Sequence, residues 1–182
     1  MLNKTYEEDY SKAVDIIKST CNKDKDLRIK AFDDLESAIF QHEQLDIPVK
    51  HRFCGDMYAR EIVIPKNTLL TGKIHKFDHF EIMLSGDIII STDDGEVKRL
   101  TGLNIIESKA GKKRAGWAIE DTHWINFHSS GLKDPSEMAD YLTVDSFEDL
   151  KIFNEQLAQA IVSINASEQV LTDHANSIIS KD

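Results

Sequence analysis

The stretch Thr71-Gly72-Lys73-Ile74-His75-Lys76-Phe77-Asp78-His79-Phe80-Glu81-Ile82-Met83-Leu84-Ser85-Gly86-Asp87-Ile88-Ile89-Ile90-Ser91-Thr92 decides the fold. It is rich in β-branched and aromatic residues, and Gly72 and Gly86 divide it into strand-length pieces. Short strands meeting at glycine corners, with no helix between them, predict an antiparallel sandwich or barrel. Side chains alternate along a strand, so a regular strand puts Lys73, His75, Phe77, His79 and Glu81 on one face. Two histidines four residues apart on that face can converge on one ion.

The same texture extends both ways. YAREIVIP before the stretch, and EVKRLTG, LNIIES, RAGWAIE and THWINFH after it, all read as strands. Asp93, Asp94 and Gly95 mark a hairpin turn, while Gly102, Gly111 and Gly116 mark further corners or bulges. Before Pro48 the periodicity is helical. Thr5 and Glu8 read as a capping box ahead of Tyr6, Tyr10, Ala13, Val14 and Ile17, and Leu27, Ala31, Leu35, Ala38 and Ile39 form a second stripe. After Leu132 the strands stop. A short helix is expected at Pro135–Tyr141, then a final one capped by Ser146 and Asp149, with Leu150, Phe153, Leu157, Ile161 and Ile164 in a narrow stripe that Val170, Leu171, Ala175 and Ile178 extend. Three segments follow: helices over 1–46, a β-barrel over 47–130, and a linker with a C-terminal helix over 131–182. The fold class is mainly β with flanking α.

At 182 residues and 41% hydrophobic, the chain supports one sizeable core. No run reaches the roughly 18 apolar residues of a membrane span, and MLNKTYEEDY is charged where a signal peptide is apolar. Cys21 and Cys54 form no paired motif, which fits a reducing compartment, with Cys54 expected as a partly buried, inert thiol. A cytoplasmic protein without membrane contact is therefore the expectation. The net charge of −10 is uneven, because Pro48–Gly116 carries +3 and the remainder −13. An acidic exterior around a mildly basic β region disfavours nucleic acid and suits a small anionic ligand. No GxxxxGK[ST], GxSxG, HExxH or GxGxxG pattern occurs, which disfavours the familiar phosphotransferase and serine-hydrolase mechanisms.

The candidate site centres on His75 and His79. Neutral imidazoles are common ligands of zinc, nickel, copper and iron, and a third ligand from a facing strand would complete a centre. His128, His123 and Glu81 compete for that place; His123 and His128 have opposite parity, so at most one faces inward on a regular strand. Trp117 and Trp124 read as core or interface residues. Lys109, Lys112, Lys113 and Arg114 read as a solvated basic turn, with Arg114 free to pair with Glu61, Glu120 or Asp121.

Gly72, His75, His79 and Gly86, followed by Ala110-Gly111-Lys112-Lys113-Arg114, resemble the two motifs of the cupin superfamily, the RmlC-like jelly rolls. Matched on Gly86, the family's first motif histidine falls on Lys73, its second on His75, its glutamate on His79, and the second-motif histidine on Arg114. YAREIVIP, TGKIHKFDH, KAGKKRAGWAIEDT and FHSS are most similar to small cupin-like proteins of tailed phages. The resemblance implies a jelly-roll barrel, a homodimer and, for a phage protein, the host cytoplasm. It implies a divalent metal (Zn, Fe, Ni or Mn) on His75, His79 and His128, or a small anionic ligand on Lys73, Glu81 and Arg114. Nucleotide, sugar phosphate and organic acid all suit such a cationic pocket. No catalytic residue is assigned. The alternatives are a metal-dependent enzyme of isomerase or oxygenase type, and an interaction module acting on a host or viral protein.

Overall fold

The computed structural model describes residues 4–92 and 94–179. The chain forms two compact units, Met1–Asp145 and Ser146–Asp182. The first begins with α1 (Lys4–Ser19) and α2 (Lys25–Ile39), followed by strands β1 (Lys50–Cys54), β2 (Met57–Ile64), β3 (Leu69–Thr71), β4 (Ile74–His75) and β5 (His79–Ser85). It continues through β6 (Asp87–Ser91), β7 (Val97–Thr101), β8 (Asn104–Ser108), β9 (Ala115–Ala118) and β10 (Thr122–Ser129) to α3 (Pro135–Leu142) and β11 (Thr143–Val144). The second unit is α4 (Phe147–Ile179), at whose start the Asp149 carboxylate accepts from the Ser146 hydroxyl while the Asp149 N–H donates back to it.

All strand pairs are antiparallel. One sheet runs β1-β2-β10-β5-β8, another β3-β9-β6-β7, and β4 pairs with β11. The chain crosses from sheet to sheet at almost every connection, which is the winding of a jelly roll. Neither sheet closes on itself, so the expected barrel is two open sheets face to face.

Burial explains which strands read as alternating and which did not. The second sheet is covered on both faces. Ile88 and Ile90 of β6 point between the sheets toward Ile62, Ile64, Met83 and Trp124, while Ile89 points the other way into a cluster with Trp117 and with Ala13, Ile17, Phe32 and Leu35 of the helices. A strand buried on both sides reads as the continuous run Ile88-Ile89-Ile90. The first sheet has a bare outer face, so β10 alternates strictly, with Trp124, Asn126 and His128 inside.

Several local expectations are corrected. α1 already includes Lys4, so Thr5 lies within its first turn and not ahead of it as a cap. Cys54 is exposed at the end of edge strand β1, whereas Cys21 is the buried thiol. Lys113 leaves the supposed solvated turn. It is buried and donates to Glu36 of α2 at 2.7 Å, and Glu36 also accepts from the Thr71 hydroxyl at 2.7 Å. The side chains of Val170, Leu171, Ala175 and Ile178, and Asp93 of the hairpin turn, lie outside the described residues.

Gly86 carries the chain from one sheet to the other with φ of +113°, and a Cβ there would sit 2.6 Å from the Asp121 carbonyl oxygen and the Thr122 Cα. Both obstacles are backbone and cannot swing away. Gly86→Ala should therefore cost about 2 kcal/mol in urea unfolding. A loss within error of zero would mean the corner can relax.

Candidate metal centre

The β10 alternation delivers His128 to the space between the sheets, and β5 delivers His79 and Glu81 by the same parity. His75 arrives differently. Its strand β4 is pinned by pairing with Thr143 of β11, and its carbonyl accepts from the Gly111 N–H at 2.8 Å. The regular strand expected from Lys73 to Glu81 is broken between His75 and His79. There the Lys76 N–H donates to the Leu142 carbonyl, and the Asp78 carboxylate accepts from the Ala110 N–H and from Lys109, each at 2.8 Å. The bend sends Phe77 against Tyr141, with ring centroids 5.5 Å apart, yet leaves both histidines converging.

The three imidazoles of His75, His79 and His128 stack at centroid distances of 4.0, 4.5 and 5.0 Å, and one nitrogen of each lies within 4.8 Å of the others. Burial, then the neighbouring His79 and His128, then Arg60 and Arg114, push His75 down to about 2. Burial and His79 push His128 down to about 3, against the opposing pull of Glu81. Both rings are thus neutral at physiological pH, with lone pairs available.

Among the described residues, three buried side-chain atoms have no hydrogen-bond partner: Nδ1 of His75, Nδ1 of His128 and Oε2 of Glu81. An unsatisfied buried polar atom costs roughly 1–3 kcal/mol, and three on residues of one cluster and its neighbouring carboxylate call for an occupant. His79 adds to this. Its Nδ1 lies 3.2 Å from the Phe77 carbonyl oxygen, while its Nε2 lies 3.3 Å from Glu81 Oε1 and 3.5 Å from Asn126 Nδ2. A nitrogen and a carboxylate oxygen at that distance are bridged by a proton or by a cation. Nitrogen donors with an adjacent carboxylate are a set that borderline divalent metals accept.

The remaining predicted residues part company. Arg114 donates to Glu81 Oε1 at 2.6 Å and to the Ser108 hydroxyl at 3.0 Å, an inward partner and not the barrel-end acids considered above. Burial pushes the Glu81 carboxyl up, but hydrogen bonding from His79, the charge of Arg114 and Ser108 outweigh it and hold it below its ordinary value. Lys73 stands outside the three-histidine cluster but lines the cavity beside it, with its exposed ammonium bonded to Asp145 at 2.7 Å. His123 faces the opposite side of the sheet, 3.0 Å from Glu61, as its parity requires.

His75 and His128 line a cavity of about 430 Å³ whose apolar walls are chiefly Ile62, Ile64, Leu70, Ile88, Ile90 and Trp124, with Tyr58, Lys73, Glu81, Lys112, Arg114 and Asn126 among its polar lining. α3 contributes Met138 and Leu142, which pack with Tyr58. Arg60 also lines this cavity, a residue the sequence reading did not single out. The signal was available: in β2, Tyr58, Arg60, Ile62 and Ile64 share one parity, and a lone cation interrupts an otherwise apolar face.

No family model matches this sequence, and no curated protein does. Solved structures similar to it include the cupin-2 domain of an XRE family transcriptional regulator from Enterobacter cloacae, at 16% identity over 46% of this chain and 95% of that one, with a TM-score of 0.39. KdgF from Halomonas sp. is 18% identical over 52% and 92% of the two chains, with a TM-score of 0.41. An RmlC-like cupin protein with a double-stranded β-helix fold from Methanocaldococcus jannaschii is 13% identical over 49% and 84%, with a TM-score of 0.39.

Proposed function

We propose that this protein binds a divalent transition metal through His75, His79 and His128 and admits a small anionic ligand to the cavity beside it. The observation that carries this reading is the pair of orphaned, buried Nδ1 atoms on His75 and His128, set among three stacked rings. A bound ion would supply Lewis acidity toward an anionic ligand atom. Around it, Glu81 orients His79 and is itself fixed by Arg114 and Ser108, a supporting layer of the kind that tunes ligand basicity. Lys73 also lines this cavity, with its ammonium paired to Asp145. The phage setting rests on the resemblance of the quoted segments.

Metal-stripped protein titrated with Zn²⁺ or Ni²⁺ should take up one equivalent. At a free-metal concentration about one hundred times Kd, folding stability should rise by about 2.7 kcal/mol. Absence of stoichiometric uptake of Zn, Ni, Fe or Mn, or uptake undiminished when all three histidines are replaced, would overturn the reading.

A further inference from the structure

We infer that Arg60 is the anchor for the ligand's anionic group, and that the ligand is a carboxylic acid with an apolar body. The inference deepens the proposed function and rests on its reading of the cavity as a binding site.

The first ground is charge. Two cations that turn inward in this fold meet a carboxylate there: Arg114 has Glu81 and Lys113 has Glu36. Arg60 is half-buried on the inner face of β2, beside the Tyr58 phenol, and among the described residues its guanidinium makes no ion pair with a carboxylate. A guanidinium stays ionised in proteins, so it cannot escape the cost of burial by losing its proton. An unpaired cation facing a cavity is therefore a vacancy for an anion.

The second ground is position. Arg60 lines the same cavity as His75 and His128. A ligand held by Arg60 lies alongside the metal centre.

The third ground is the walls, which choose among the anions. One free guanidinium matches one carboxylate through two parallel N–H donors. The cavity volume falls in the range of small-molecule sites, but Ile62, Ile64, Leu70, Ile88, Ile90 and Trp124 offer almost nothing to hydroxyls. Tyr58, Thr71 and Asn126 would serve only a few hydroxyls of a sugar phosphate, and the other cations along the cavity, Lys73, Lys112 and Arg114, already have partners, which leaves a phosphate dianion without a second open one. An organic acid with a hydrocarbon or aromatic body satisfies both ends.

Calorimetric titration with hexanoate, phenylacetate, hexanamide, glucose 6-phosphate and AMP, on metal-free and on zinc-loaded full-length protein, tests this. Hexanoate or phenylacetate should bind, with hexanamide and both phosphates at least about tenfold weaker. Arg60→Met, which keeps the aliphatic stem, should weaken the acid by about ten- to a hundredfold. It should leave zinc affinity unchanged within a few-fold. Arg60→Lys, which keeps the charge but not the fork, should fall between the two. If Arg60→Met does not fold, the Arg60→Lys loss and the acid-against-amide ratio in the wild type decide. Zinc uptake with no acid binding, or acid binding equal in wild type and the Arg60 variants, would overturn the inference and leave the metal centre standing. Arg60-dependent acid binding without any zinc uptake would support it and remove the metal centre instead.

Discussion

His128→Ala is expected to weaken zinc binding by two to three orders of magnitude, read in a competition titration against a chromophoric chelator. Structural zinc sites hold their ion with roughly 10–16 kcal/mol spread over four ligands, so each ligand carries on the order of 3 kcal/mol or somewhat more. Each 1.4 kcal/mol is a factor of about ten in affinity. His128 is an informative target because it sits 4.5 and 5.0 Å from the other two rings yet comes from a different strand, far from them in sequence. His123→Ala is the matched control. It removes a histidine from the same strand, but one that faces Glu61 on the opposite side of the sheet, so zinc affinity should not move. Equal losses in the two variants would show that β10 as a whole supports binding. No loss in His128→Ala would dismiss the three-histidine centre.

That contrast turns on strand parity, and parity is what the sequence made legible. THWINFH already separates His123 from His128, and the structure keeps that separation although the register with β5 shifts at His123/Trp124. The β-rich middle, the four helical stretches around it and the Ser146/Asp149 cap are equally readable, because each rests on local periodicity or a short-range hydrogen bond. What local pattern could not show was where chain-distant partners intervene. Lys73 lies along the cavity, but its ammonium is paired with the carboxylate of Asp145, a partner 72 residues away that the strand pattern does not announce. Lys113 was assigned to solvent because four basic residues lie close together, but Glu36 of α2 draws it into the interior. Arg60 escaped notice for the converse reason. Nothing in sequence marks a cation as unpaired, since that is a statement about every residue that fails to reach it.

The metal-free protein should lose stability steeply as pH falls from 7 to 5. His75 and His128 are held at about 2 and about 3 in the folded state, whereas an unfolded histidine titrates near 6.5. Between those values the unfolded chain binds two protons that the folded chain does not, so stability rises with pH and falls on acidification. Each such histidine contributes a slope of about 1.4 kcal/mol per pH unit, or nearly 3 for the pair, once pH is well below 6.5. The carboxylates held below their ordinary values, among them Glu61, Asp78 and Glu81, act with the same sign. Their window opens only where unfolded carboxylates begin to protonate, near pH 4.5, so the interval from 6 to 5 isolates the histidines. Urea unfolding of metal-free wild type and of His128→Ala at pH 7, 6 and 5 reads the effect, and the variant should flatten the slope by about half. Saturating zinc should raise the curve at neutral pH, because the ion binds the neutral rings that folding already selects. A flat profile for the metal-free wild type would mean that the folded protein takes up the same protons as the unfolded chain. His75 and His128 rings that accept protons so readily could not be the dry, neutral ligands on which the metal centre depends.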